Sequence, residues 1–165
     1  MVSLPCLLES LRASDVLPVT RLFSEPIVRA FLGGPLSPQL AEQRAAELIS
    51  HLGQAWAVRP APGSPVLLGV VLLDRHHDLE DLEVSYLFLP EHWGRGYARA
   101  AVKQALAYAF GTIGLPRVVA ETQSANGASV RLLEHLGFCL VGNVNRFGAE
   151  QSIYRAQPSP LQAAT

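Results

Sequence analysis

Cysteine is scarce in this sequence: Cys6 and Cys139 are the only two, and neither stands in a Cys-x-x-Cys pattern. That excludes a disulfide framework and a thiolate zinc site, and both residues are read as reduced, partly buried thiols. Charge is sparse as well. Asp, Glu, Lys and Arg make up 16% of the residues, the formal net charge is -1, and the basic side chains are scattered along the chain. A nucleic-acid partner needs a concentrated basic face, so that substrate class is excluded. No stretch approaches the ~18 uninterrupted apolar residues of a membrane span. The start, Met1-Val2-Ser3-Leu4-Pro5-Cys6, lacks the basic residues and apolar run of a secretory leader. The expectation is a soluble, cytoplasmic protein without a membrane partner.

What is present is apolar: 49% of the 165 residues are hydrophobic, enough for one domain with its own core. A short strand is expected from Cys6 to Leu11, then a helix opened by Ser14 and Asp15, and a broken helical stretch from Ile27 to Leu32 ended by Gly33-Gly34-Pro35. Ser37 is an N-cap followed by Pro38 at the first helical position, and Leu40, Ala41, Ala45, Leu48, Ile49 and Leu52 keep one apolar face to about Gly53. Two β-rich runs, Ala55 to Arg59 and Val66 to Asp74, flank a Pro- and Gly-rich turn and read as a hairpin.

After the polar connection Arg75-His76-His77-Asp78 comes a strand from Leu82 to Leu89, largely apolar on both faces and therefore central in its sheet. A helix from Tyr97 to Phe110, closed by Gly111, and a buried strand from Leu115 to Thr122 follow. Asn126 or Ser124 caps a last helix that ends at Gly137, before strands at Phe138 to Asn145 and Gln151 to Arg155. Antiparallel strands first and an α/β half second predict a mixed sheet.

One segment carries chemistry. Leu87-Phe88-Leu89-Pro90-Glu91-His92-Trp93-Gly94-Arg95-Gly96-Tyr97-Ala98 places a strand, a turn with two glycines and a helix start within a dozen residues. Glycines let the backbone bend and approach a ligand, and the unpaired N–H groups of the helix start favour an anion, phosphate above all. The other familiar phosphate loops do not fit. No Gly-Lys-Ser/Thr is present, and a dinucleotide fingerprint needs another spacing and an early βαβ unit.

The turn resembles the signature of the GNAT superfamily of acetyl-CoA-dependent N-acyltransferases, Gln/Arg-x-x-Gly-x-Gly/Ala between a central strand and a helix. Trp93 stands where Gln or Arg is usual. The fuller string from Pro90 to Ala98 is similar to the branch typified by ribosomal-protein N-terminal acetyltransferases, in which Trp is common. A second element resembles the same family: Asn126 to Phe138, a capped helix beginning Asn-x-x-Ser and ending Gly-Phe. The resemblance implies a single acetyltransferase domain over residues 1–157, with a disordered tail at 158–165. The fold it implies is α/β (α+β), a mixed and mostly antiparallel sheet of about seven strands with four helices on both faces.

It also implies acetyl-CoA as co-substrate, an amine as acceptor and no metal. The coenzyme's pyrophosphate would lie on the backbone from Gly94 through Arg95, Gly96 and Tyr97 to Ala98, beside Trp93, and its pantetheine arm along Phe88 and Leu89, with Asn126 and Ser129 completing the site. A homodimer is left open. Peptide N-termini and small-molecule amines both qualify as acceptors.

Acetyl transfer from a thioester requires a neutral amine and a proton for the leaving thiolate. A lysine ε-amine with pKa about 10.4 is neutral about one part in a thousand near pH 7, an α-amine with pKa about 8 about one part in ten, so the α-amine needs less help. Glu83, on the central strand, is the candidate base, matching an acidic residue often found there in the terminal-amine branch; Glu80, Asp81 and Glu91 are alternatives. Many superfamily members carry a Tyr acid where this chain has Leu133. Ser129 is the substitute that the resemblance implies, with Tyr86 and Tyr154 as distant alternatives. His76-His77 is read as a solvated loop, since adjacent histidines project oppositely and no ligand cluster accompanies them. The missing tyrosine keeps a second reading open, a non-catalytic acyl-CoA-binding or sensor module.

Overall fold

The computed structural model describes residues 5–50, 54–76 and 81–158. Leu52 and Gly53 at the expected end of the second helix, His77 and Asp78 of the polar connection, and residues 159–165 of the expected tail lie outside the described residues. The elements are β1 (Leu7–Ser10), α1 (Val16–Ser24), α2 (Pro38–Ile49), β2 (Gln54–Arg59), β3 (Gly69–Arg75), β4 (Leu82–Phe88), α3 (Tyr97–Ala107), β5 (Val118–Gln123), α4 (Gly127–His135), β6 (Cys139–Arg146) and β7 (Ala149–Ala156). They form a seven-stranded sheet in the order β1-β2-β3-β4-β5-β7-β6, antiparallel everywhere except between β4 and β5.

Alternation along the strands sends side chains to two cores. Val70 of β3 and Ala57 of β2 pack with Val19 and Leu22 of α1 and with Ala45 and Leu48 of α2. On the other face Val71, Leu73, Val84, Val118 and Ala120 meet Ala101, Val102 and Ala105 of α3 and Leu133 of α4. Two helices therefore cover each face, as expected for this fold class. Burying each of these Val or Leu side chains contributes about 1.5–3 kcal/mol, which is why the apolar positions of the helices select the packing. Arg59, fully buried at the end of β2, is matched by Asp15 at 2.7 Å and Glu9 at 3.1 Å.

Four local expectations are corrected. Residues 26–33 form consecutive turns and no helix, with Arg29 clamping them by donating to the carbonyls of Gly34 and Leu32 at 2.6 Å each. β3 begins at Gly69, not at Val66. The helix after the glycine turn does not stop at Gly111. It passes into a π-helical segment, Tyr108–Ile113, that ends at Gly114, whose φ of 76° supplies the left-handed stop. Of the two thiols, Cys6 is buried and Cys139 is exposed on edge strand β6.

Candidate active site

β4 ends in a turn that aims a helix at open space. Leu89 leads into a single 3-10 turn, Pro90–His92, closed by Trp93 N donating to Pro90 O at 3.1 Å. Gly94 and Gly96 then take φ of 71° and 77°, and Gly96 is the N-cap of α3. Residues 93–96 are all exposed. Left-handed backbone at these two positions is the kind of turn that can present successive N–H groups to an anion, and the positive end of α3 adds to it. Trp93 braces the turn from outside by donating its indole N–H to Phe88 O at 2.8 Å. Glu91 ties it to α1 through a two-pronged pair with Arg21, at 2.5 and 3.0 Å.

Beside this turn the sheet opens. β4 pairs with β3 along its whole length, from Arg75↔Leu82 to Gly69↔Phe88. On its other side, among the described residues, it pairs with β5 only at Glu83↔Val119. Past Glu83 the described residues of the two parallel strands make no further ladder pair, so the edge of β4 that faces β5, called the slot below, runs without a strand partner toward the glycine turn. The side chains of Phe88 and Leu89 at the head of the slot are buried. Leu89 N donates to Leu68 O at 3.1 Å, and Phe88 O receives the Trp93 indole, so both of these main-chain groups already hold protein partners.

α4 borders the slot with its first turn. Asn126 is its N-cap, accepting from Ser129 N at 3.2 Å. The Ser129 hydroxyl lies 2.6 Å from the hydroxyl of Tyr86, on β4. Burial pushes the Tyr86 phenol above its ordinary value, against the opposing bond from Ser129. Leu133 is buried in the core, and Tyr154 donates to Glu134 at 3.3 Å.

On the α1/α2 face of the same slot lies Glu83, in a cluster that sequence reasoning missed. His76 is buried, not solvated, with Nε2 at 2.7 Å from Glu121 Oε2 and 4.0 Å from Glu83 Oε2. Arg146 of β6 donates to Glu121 through Nε at 2.8 Å and also through Nη2. Burial raises the Glu83 carboxyl above its ordinary value; His76 opposes the rise and the Glu121 charge reinforces it. A signal for His76 existed: the hairpin register pairs Asp74 with Glu83, and His76 continues the alternation that puts Val70, Leu72 and Asp74 on that face. Of the alternative bases, Asp81 is paired with Arg117 at 2.6 Å, Glu91 with Arg21, and Glu80 lies outside the described residues.

A family model described as an acetyltransferase (GNAT) domain matches residues 6–139, most of the chain. The chain belongs to the GNAT acetyltransferase family. Among curated relatives of this GNAT domain, the uncharacterized N-acetyltransferase YoaA of Bacillus subtilis is 35% identical over 39% of this chain. The match spans 37% of YoaA's own length. Among solved structures, an acetyltransferase (GNAT family) from Bacillus anthracis superposes with a TM-score of 0.80 at 19% identity, over 93% of this chain and 95% of that one. Spermidine N-acetyltransferase from Vibrio cholerae, in complex with CoA and spermine, gives 0.75 at 21% identity, with the same coverages. These likenesses are of fold. No described helix is long and apolar enough to cross a membrane.

Proposed function

We propose that this GNAT domain transfers an acetyl group from acetyl-CoA to a primary amine by direct attack. The observation that carries the proposal is the pair of left-handed glycines at the start of α3, standing at the mouth of the slot between β4 and β5. In this reading the N–H groups from Gly94 to Ala98 hold the pyrophosphate, and the unpaired edge of β4 receives the pantetheine arm. The coenzyme supplies an activated acyl group; the chain orients it and manages protons. Glu83 takes the amine proton, its burial and its Glu121 neighbour giving it a higher proton affinity than an exposed carboxylate has. Ser129 faces the sulfur from α4. The acceptor is a peptide N-terminal α-amine, by likeness to the ribosomal-protein N-terminal branch, or a small amine. The Vibrio enzyme, solved with spermine, supports including polyamines.

Calorimetric titration with CoA, followed by thiol-release assays with acetyl-CoA and a panel of N-terminal peptides, polyamines and aryl amines, tests the proposal. Binding and turnover on any amine support it. Binding without transfer or slow hydrolysis makes the chain an acyl-CoA-binding module, and absence of binding removes the coenzyme site.

A further inference from the structure

Two hydroxyls bridge the slot: that of Ser129, the substitute acid the resemblance implies, and that of Tyr86, a distant alternative on the sequence. Tyr86 reaches from β4 and Ser129 from the first turn of α4, with their oxygens 2.6 Å apart and both residues half-buried. Each hydroxyl has one proton and can also accept. Their mutual bond uses one proton, so when Tyr86 donates to Ser129 the serine proton is available to a third atom. The backbone of Ser129 is held by the Asn126 cap, which fixes where that proton is delivered.

The strand sets the second half of the geometry. Tyr86 and Glu83 are three apart on β4, so their side chains lie on opposite faces of the sheet. Tyr86 shares its face with Val84 and Phe88 in the α3/α4 core, while the partner of Glu83 across the hairpin is Asp74. A reacting carbonyl in the slot would thus have a carboxylate on one side and a hydroxyl pair on the other.

Resting on the proposed transferase reading, we infer that Tyr86 is a positioning residue that acts through Ser129, the two hydroxyls relaying a proton to the departing thiolate. The balance closes. The amine nitrogen bonds the acyl carbon, the carbon–sulfur bond breaks with its electron pair on sulfur, and the Ser129 proton neutralises that sulfur. The Tyr86 proton replaces the one on Ser129, and the phenolate recovers a proton from water. The proton lost by the amine goes to Glu83 and then to water. Burial holds the Tyr86 phenol above its ordinary value, so its proton is in place at neutral pH.

The test compares wild type with Tyr86→Phe, Ser129→Ala and the double variant. With acetyl-CoA and an accepted amine, each single variant is expected to lose about 100-fold in kcat, the low end for a positioned proton donor, with KM for acetyl-CoA unchanged. The double variant should be no slower than Ser129→Ala, because the two groups act in series, and Ser129→Thr should restore activity. A second readout needs no acceptor. At about pH 8, where a thiol of ordinary pKa about 8.5 is partly ionised, wild type should bind CoA more tightly than desulfo-CoA. Tyr86→Phe and Ser129→Ala should lose that preference while keeping wild-type affinity for desulfo-CoA. Wild-type turnover and wild-type preference in Tyr86→Phe overturn the inference alone. A wild-type chain that transfers to no amine overturns the parent reading, and the desulfo-CoA comparison then still decides whether the hydroxyl pair donates to sulfur. If Tyr86→Phe does not fold, Tyr86→Leu, which also removes the hydroxyl and keeps an apolar side chain beside Val84 and Phe88, carries the same comparison.

Discussion

Gly96→Ala tests the coenzyme turn, and α3 carries its own control. Gly96 has φ of 77° and Gly114, past the far end of the same helical run, has φ of 76°; a Cβ built on either meets nothing within 4 Å. Steric clash is therefore absent at both, and the cost of alanine is the left-handed backbone itself, about 1–2 kcal/mol. On that basis Gly114→Ala, whose backbone N–H is bound to Ala109 O, should lose about 2–8 °C in Tm for a domain of this size, and Gly96→Ala less. They differ in what they touch. Gly96 lies in an exposed turn held upstream at Trp93 and His92 and downstream by Ala100 N donating to Gly96 O at 3.1 Å, and an alanine there leaves the left-handed region by giving up that downstream bond. Binding an anion on the turn must then restore it, and 1–2 kcal/mol converts to about a 5- to 30-fold loss of CoA affinity. Gly114 is roughly 25 Å away along the helix axis. Calorimetric titration of CoA into both variants should show that loss for Gly96→Ala and wild-type affinity for Gly114→Ala. Equal affinities in the two variants would refute the assignment of the phosphate site to this turn.

Two further outcomes are expected. Glu83→Gln should cut turnover about 100-fold near pH 7. The deficit should shrink as pH rises and the acceptor loses its own proton, closing near 8 for an α-amine and near 10 for an alkyl amine; a variant that matches the wild-type rate at every pH would remove Glu83 from the mechanism. The same variant has a stability signature. A folded-state carboxyl held above its ordinary 4.5 keeps a proton that the unfolded chain releases, so the wild type loses stability as pH rises between those values. Glu83→Gln should accordingly melt higher than wild type at neutral pH and equal it below that window, as followed by thermal denaturation. Finally, an aromatic disulfide reagent should titrate one thiol in the native protein, exposed Cys139, and two after denaturation. Cys6 is buried, donates to Tyr97 O at 3.5 Å, and has its thiol pushed up to about 11; two fast native thiols would contradict this packing.

The order of elements was legible because each is bounded by a residue with one strong conformational preference. Ser37 before Pro38, Asn126 before α4 and the glycines before α3 all act within a few residues of themselves. The end of α3 was not legible in this way. Gly111 is a plausible stop by local preference, yet the π-helical turn carries the helix past it, keeping Ala109 buried against the core. The glycine turn belongs to the local class and could be read directly. The cluster of His76, Glu83, Glu121 and Arg146 and the Tyr86–Ser129 bond are made between strands and helices far apart in the chain. Their signal is register, which only the folded sheet defines. His76 shows the consequence: beside His77 in a polar stretch it looks solvated, and only the Asp74↔Glu83 pairing turns it inward.

The one ladder pair between β4 and β5 among the described residues also makes this a sheet with a seam. A four-stranded antiparallel unit lies on one side and a three-stranded unit on the other, joined at Glu83↔Val119 and by the core beneath α3 and α4. A ligand lodged in such a seam becomes part of the architecture. Mass action then adds about 2.7 kcal/mol to stability at a free concentration one hundred times its Kd. The melting temperature of this protein should therefore follow its coenzyme supply, and amides along the open edge of β4 should exchange faster when that supply fails.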